Sequence, residues 1–92
     1  MLDKEKRERL HRIFDLVLDI QEKGIPDAFF DFSGHCGLVD VRVFKNGWKS
    51  MQDADIILNT NLSISEEDYV YLDDYYIGLD DMITKLEEFK NV

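Results

Sequence analysis

Apolar residues between Asp3 and Lys23 recur with helical spacing and predict an N-terminal helix over residues 3–23. The predicted apolar face, spaced i, i+3, i+4 and i+7, consists of Leu10, Ile13, Phe14, Val17 and Ile20. Acidic residues also precede basic ones by four positions, which supports a helix, at Asp3/Arg7, Glu5/Arg9 and Glu8/Arg12. Gly24, with Pro26 just beyond it, indicates the end of this helix.

Alternation of apolar and polar residues then predicts an antiparallel hairpin of two strands, residues 28–33 and 38–44. In these strands one face carries Ala28, Phe30 and Phe32, and Val39, Val41 and Val43. The segment Gly34-His35-Cys36-Gly37 connects the strands. Pairing the two apolar faces buries Phe against Val, while Asp40 and Arg42 take the other face.

Asn46-Gly47 predicts a second turn, because both residues tolerate positive φ. A third strand is expected either at Trp48–Ser50 or at Ile56–Asn59, after a turn at Asp53-Ala54-Asp55. A third strand is needed, since two strands alone are only marginally stable.

The C-terminal third permits two interpretations. In the first, one long helix starts at a capping box of Ser65 and Asp68. Its apolar seam would be Tyr69, Leu72, Tyr76, Leu79, Ile83 and Leu86. Acidic doublets seven residues apart would form a ridge along it, with steps of about 10.5 Å, at Glu66-Glu67, Asp73-Asp74, Asp80-Asp81 and Glu87-Glu88.

In the second interpretation, Tyr69–Leu72 is a fourth strand and Asp73 caps a shorter helix over about residues 74–90. We favour it, because four consecutive large residues overfill one helical face. Residues 79–90 are helical in both. The predicted fold class is therefore α+β, with an N-terminal helix, a small antiparallel sheet of three or four strands, and a C-terminal helix packed on one face.

Composition indicates one soluble domain over residues 1–92, with 45% hydrophobic residues. A single cysteine cannot form an internal disulfide and favours a reducing compartment. No signal-peptide pattern or membrane-length apolar run is present, so we expect a cytoplasmic protein with no membrane partner.

The net charge of −9 arises from one stretch, which we call the acidic block and define as residues 50–84. The block contains nine carboxylates and no Lys or Arg, whereas the rest of the chain has eleven acidic and eleven basic residues. Such a field attracts cationic surfaces and repels nucleic acid and anionic membranes. A solvated coat that only confers solubility is the plainer interpretation. The candidate partner-binding residues are Asp53, Asp55, Glu66, Glu67, Asp68, Asp73, Asp74, Tyr75, Asp80 and Asp81.

His35 and Cys36 supply an imidazole and a thiolate, the donors that zinc prefers, in a turn between glycines. A zinc site would need further ligands, from His11 or from aspartates such as Asp31, Asp40, Asp53 and Asp55. The sequence has no CxxC or HxxxH spacing, so an ordinary glycine-flanked turn is the competing interpretation. No catalytic motif appears, and we expect a protein without enzymatic activity.

The runs Phe30-Asp31-Phe32-Ser33-Gly34-His35 and Val39–Trp48, with Tyr71-Leu72-Asp73 before the last helix, resemble small proteins of phages and prophages of Gram-positive bacteria. The resemblance covers about residues 28–90, and several acidic members are similar to anti-CRISPR inhibitors. It implies a protein that binds a basic nucleic-acid-binding host protein such as a CRISPR nuclease, and blocks its access to DNA. The expected location is then the cytoplasm of an infected bacterial host.

Two alternatives remain from the residues themselves. One is a structural module that homodimerises through Tyr69, Leu72 and Tyr76, with the charge serving solubility. The other is a small zinc-stabilised binding domain built on His35 and Cys36.

Overall fold

The computed structural model describes residues 3–23, 26–47, 56–64 and 76–90. In chain order the elements are α1 (Lys4–Gln21), β1 (Asp27–Ser33), β2 (Leu38–Phe44), β3 (Ile56–Asn61) and α2 (Leu79–Lys90). This is the predicted α+β architecture. Within these ranges no helix has both the length and the apolar character needed to cross a membrane.

Helix α1 starts where its sequence supplies a cap. The Asp3 carboxylate accepts a hydrogen bond from the Lys6 backbone N–H at 2.8 Å, which satisfies one of the N–H groups that a helix start leaves without a partner. The prediction for the buried face needs two corrections. Leu16 is not part of the predicted apolar face but is fully buried, and Phe14, which is part of that face, is 46% exposed.

The sheet has the order β1-β2-β3 with both pairings antiparallel. Phe30 pairs with Val41, and Val41 pairs with Leu58 on the other side, which confirms the predicted matching of apolar faces. Phe32 pairs with Val39 as expected but is 43% exposed, so the predicted burial of its ring is wrong. Of the two sites proposed for the third strand, Ile56–Asn59 is confirmed, within β3; Trp48–Ser50 lies outside the described residues.

Only one residue of the predicted Asn46-Gly47 turn has the expected backbone. Gly47 has φ +88° and donates its N–H to the Phe44 carbonyl at 3.1 Å. Asn46 does not have positive φ, so that half of the prediction is wrong. The turn closes after Phe44, and β3 begins nine residues after Gly47 rather than directly.

Helix α2 begins at Leu79, and both predictions for its start are corrected here. Tyr76 forms an isolated parallel bridge with Asn59, and Ile77 donates its N–H to the Asn59 carbonyl at 2.9 Å. Gly78 precedes the helix, and its carbonyl accepts the first helical bond, from Met82 N–H at 3.0 Å. Glycine is tolerated at this position but costs about 1 kcal/mol inside a helix. Because residues 76–78 are not helical, the predicted ridge of acidic doublets from Glu66-Glu67 to Glu87-Glu88 on one continuous helix is wrong.

The core lies between the two helices and one face of the sheet. Its buried side chains come from α1, β2, β3 and α2, and Ile13, Val41, Met82 and Leu86 are fully inaccessible. The opposite face of the sheet carries Asp31, Asp40 and Arg42, together with the exposed side chains of Phe29 and Ile57. Both helices thus cover the same face, as the sequence predicted for the C-terminal helix.

Candidate interaction surfaces

Two members of the acidic block, Asp80 and Asp81, lie in the first turn of α2 and are exposed. Carboxylates at a helix N-terminus stabilise the helix, because the aligned peptide dipoles leave partial positive charge there. The two side chains therefore have a local structural role as well as a surface position.

Asp80 also joins the two helices. Its Oδ1 accepts a hydrogen bond from Arg9 Nε at 2.8 Å, and Arg9 Nη1 lies 3.9 Å from Glu5 Oε2. Part of the Asp80 charge is thus balanced by α1. No ion pair links Asp81 to another described residue, so Asp81 carries the more available charge of the two.

The other predicted partner-binding residues lie outside the described residues. They are Asp53, Asp55, Glu66, Glu67, Asp68, Asp73, Asp74 and Tyr75. Their proposed role stays a prediction from the charge pattern.

Tyr76 belongs to the predicted homodimerisation seam, and its position changes that hypothesis. It lies beside β3 in the bridge with Asn59, whereas Leu79, Ile83 and Leu86 belong to α2. Leu79 and Leu86 are buried in the monomer core. A continuous helical seam through these residues is therefore wrong, and Tyr69 and Leu72 lie outside the described residues.

His35 and Cys36 are both exposed in the turn between β1 and β2. Across the described ranges, no group of three or more His, Cys, Asp and Glu side chains is placed to hold a metal ion. His11, proposed as a further ligand, lies on α1 at the border of a groove. Asp31 and Asp40 face each other across β1 and β2, and Asp53 and Asp55 lie outside the described residues.

The Asp31–Asp40 pair places two carboxylates opposite each other on the outer face of the sheet. Arg42 Nη2 lies 2.8 Å from Asp40 Oδ2, whereas Asp40 Oδ1 is buried and makes no hydrogen bond. The pKa of Asp40 is raised above its usual value, mainly because burial penalises the charged form and secondarily because of the Asp31 charge; Arg42 acts in the opposite direction. This face of the hairpin therefore has more negative charge than its arginine balances.

A groove of about 460 Å³ opens on the other face, between α1 and β1. Its apolar walls are Leu10, Phe14, Phe30 and Phe32, and Arg7, His11 and Asp15 border it. The rings of Phe14 and Phe30 meet edge to face, with 5.4 Å between their centroids. This groove was not predicted from the sequence. Two features of the sequence indicate it: the apolar face of α1 is broader than contact with one helix requires, and β1 contains three phenylalanines.

Comparison of the chain with protein-family models, with curated proteins and with solved structures gives no match.

Proposed function

We propose that this protein is an acidic inhibitor, encoded by a phage, of a nucleic-acid-binding defence protein in the cytoplasm of a bacterial host. A CRISPR nuclease is the favoured target. The inhibitor would act by binding, without catalysis, and would block access of DNA to the target.

The segregation of charge carries this proposal. Nine carboxylates without a single Lys or Arg occupy residues 50–84, and the remaining residues sum to zero. A coat that served only solubility has no need to concentrate its charge in one stretch. The exposure of Asp80 and Asp81 supports it, since these two described carboxylates of the block face solvent.

The mechanism rests on competition for cationic side chains. Duplex DNA presents one negative charge per about 1.7 Å of its axis, and sites that bind it are rich in Lys and Arg. Carboxylates held on a folded domain can pair with the same side chains. Because such pairs are exposed and screened by ions, inhibition should weaken steeply as salt is added.

The direct test uses a guide-loaded CRISPR nuclease of the Cas9 type and a labelled target duplex. The protein should lower the fraction of duplex bound at 100 mM salt and lose most of this effect at 400 mM, after correction for the salt dependence of the nuclease itself. Undiminished duplex binding across a panel of such nucleases from Gram-positive bacteria would refute the proposed target. Inhibition that does not change with salt would refute the electrostatic mechanism.

A further inference from the structure

The outer edge of β1 has backbone groups directed away from the sheet. Ala28 N–H donates to Gln21 Oε1 on α1 at 2.8 Å, so this N–H does not point toward β2. Backbone directions alternate along a strand, and the N–H and C=O groups of Phe30 and Phe32 therefore point the same way as those of Ala28.

The neighbouring strands agree with this alternation. Leu62 N–H donates to the Gly37 carbonyl at 2.8 Å, which continues the β2–β3 pairing through the odd-numbered residues of β2. Those residues include Val39 and Val41, which are the partners of Phe32 and Phe30. The backbone hydrogen bonds of Val39 and Val41 thus run toward β3 and not toward β1. On the far side of the sheet, Asn59 receives Ile77 N–H. The Gln21 side chain accepts the Ala28 N–H at this edge, and no backbone hydrogen bond joins Phe30 or Phe32 to another described residue there.

This edge borders the groove between α1 and β1. Phe32 is 43% exposed and Phe14 is 46% exposed, so both rings present apolar surface to anything placed there. A strand added beside β1 would direct alternate side chains into the groove, and the intervening ones onto the outer face beside Asp31. An exposed edge next to an apolar groove is the arrangement used in β-strand addition.

We propose that the β1 edge binds an extended segment of a partner protein in which apolar residues alternate with basic ones. The apolar residues would enter the groove beside Phe30 and Phe32. A basic residue would lie opposite Asp31, where Asp31 and Asp40 share the outer face with Arg42.

Charge disfavours a second copy of this chain as the occupant. The symmetric antiparallel pairing that uses the backbone of Phe30 and Phe32 from both chains places Asp31 directly opposite its own copy. Like charges opposite each other destabilise a strand pair, and a Lys or Arg in that place stabilises it. Each chain also carries a net charge of −9, which opposes association of two copies.

The test uses a capped peptide, Lys-Val-Lys-Val-Lys-Val-Lys, titrated into the full chain labelled with ¹⁵N. We expect saturable binding, with the largest amide shifts at Phe30 and Phe32. Antiparallel pairing directs the valine N–H groups to the edge. N-methylation of the three valines should then weaken binding at least tenfold, and N-methylation of three lysines should be tolerated. Equal affinity of the two methylated peptides would overturn strand addition.

A charge exchange separates this site from general attraction to an acidic protein. Asp31→Lys should weaken binding of the lysine peptide roughly fivefold, which is the size of effect that a cross-strand charge pair gives. The same variant should bind a Glu-Val peptide of the same length more tightly than the native chain does. Glu88→Lys makes the same change in net charge at an exposed position of α2 and should leave the preference for the lysine peptide intact. Equal effects of the two variants would overturn the site.

Two further measurements complete the test. Phe32→Ala should reduce affinity for the peptide, whereas Leu18→Ala, at a residue of similar exposure outside the groove, should not. Sedimentation should show a monomer near 10.9 kDa, and a dimer that protects the Phe30 and Phe32 amides from exchange would contradict the assigned occupant. The edge lies outside the acidic block, and either proposal can therefore fail while the other stands.

Discussion

Arg9 and Asp80 join the two helices through a hydrogen bond of 2.8 Å between Nε and Oδ1. Both side chains are partly exposed, and exposed ion pairs contribute about 0.2–1 kcal/mol. We therefore expect Asp80→Asn and Arg9→Gln each to lower the free energy of unfolding by less than about 1 kcal/mol, and their double variant to lose less than the sum. Urea unfolding of the four proteins measures this coupling; strict additivity would show that the contact contributes nothing.

This contact also determines how the acidic block can be tested. Reversal of charge at Asp80 would place a lysine beside Arg9 and perturb the α1–α2 contact together with any binding surface. A variant at Asp81, which pairs with no described cation, avoids this difficulty.

Burial differs sharply between two leucines of the helices, and the loss of stability on replacing each by alanine should differ as well. Leu86 on α2 is fully inaccessible, whereas Leu18 on α1 is 46% exposed. Leu86→Ala should cost about 2–5 kcal/mol, since it removes buried methyl groups and leaves a cavity. Leu18→Ala should cost less than about 1 kcal/mol, because surface substitutions have small effects. Denaturant unfolding compares the two, and similar losses would contradict the assigned core.

Gly47 should resist substitution for a conformational reason alone. It has φ +88°, yet an added Cβ would lie 3.7 Å from the nearest atom, Asp27 Oδ2, which is ordinary contact. Gly47→Ala should therefore cost about 1–2 kcal/mol from backbone strain. Gly34→Ala is the matched control, because its Cβ would also meet a neighbour at 3.7 Å but its φ is not positive. Equal melting temperatures of the two variants would contradict this assignment.

Asp40 should make the fold less stable as pH rises. Its pKa is higher in the folded state than the ordinary value of 3.8, so the folded protein binds the proton more tightly than the unfolded chain. Stability linked to this group is then present at low pH and is lost as pH rises through the folded pKa. Asp40→Asn should raise the melting temperature at pH 7 relative to the native chain, and this gain should shrink toward pH 4. A variant that is less stable at pH 7 would show that the Arg42 pair outweighs the burial cost.

The local sequence pattern predicts the helices and strands but not the contacts between them. The 3.6-residue period located α1 within two residues of each end, because Asp3 and the apolar stripe act locally. The start of α2 was misplaced, since Ile77 donates to Asn59, a residue far away in the chain. Local propensity contains no information about that bond.

Of the two candidate surfaces, the sequence predicts the acidic block but not the β1 edge. The charge of the acidic block is visible in composition, and the exposure of Asp81 follows from its place on a helix. The β1 edge is not visible in the sequence, because Phe30 and Phe32 carry a regular strand pattern whether their edge is paired or open. The hydrogen bonds from Ala28 to Gln21 and from Leu62 to Gly37 show which backbone groups point outward.

The most direct test of the central claim compares two pairs of neutralising substitutions that change the net charge equally. Asp73→Asn with Asp74→Asn removes two charges from the acidic block, and Glu22→Gln with Glu88→Gln removes two from exposed positions outside it. Displacement of target duplex from the guide-loaded nuclease is measured for both, after circular dichroism confirms that each is folded. The acidic-inhibitor account predicts at least a tenfold loss of displacement for the block pair and less than a twofold loss for the other. Equal losses would contradict it, because they would show that total charge rather than its position determines the effect.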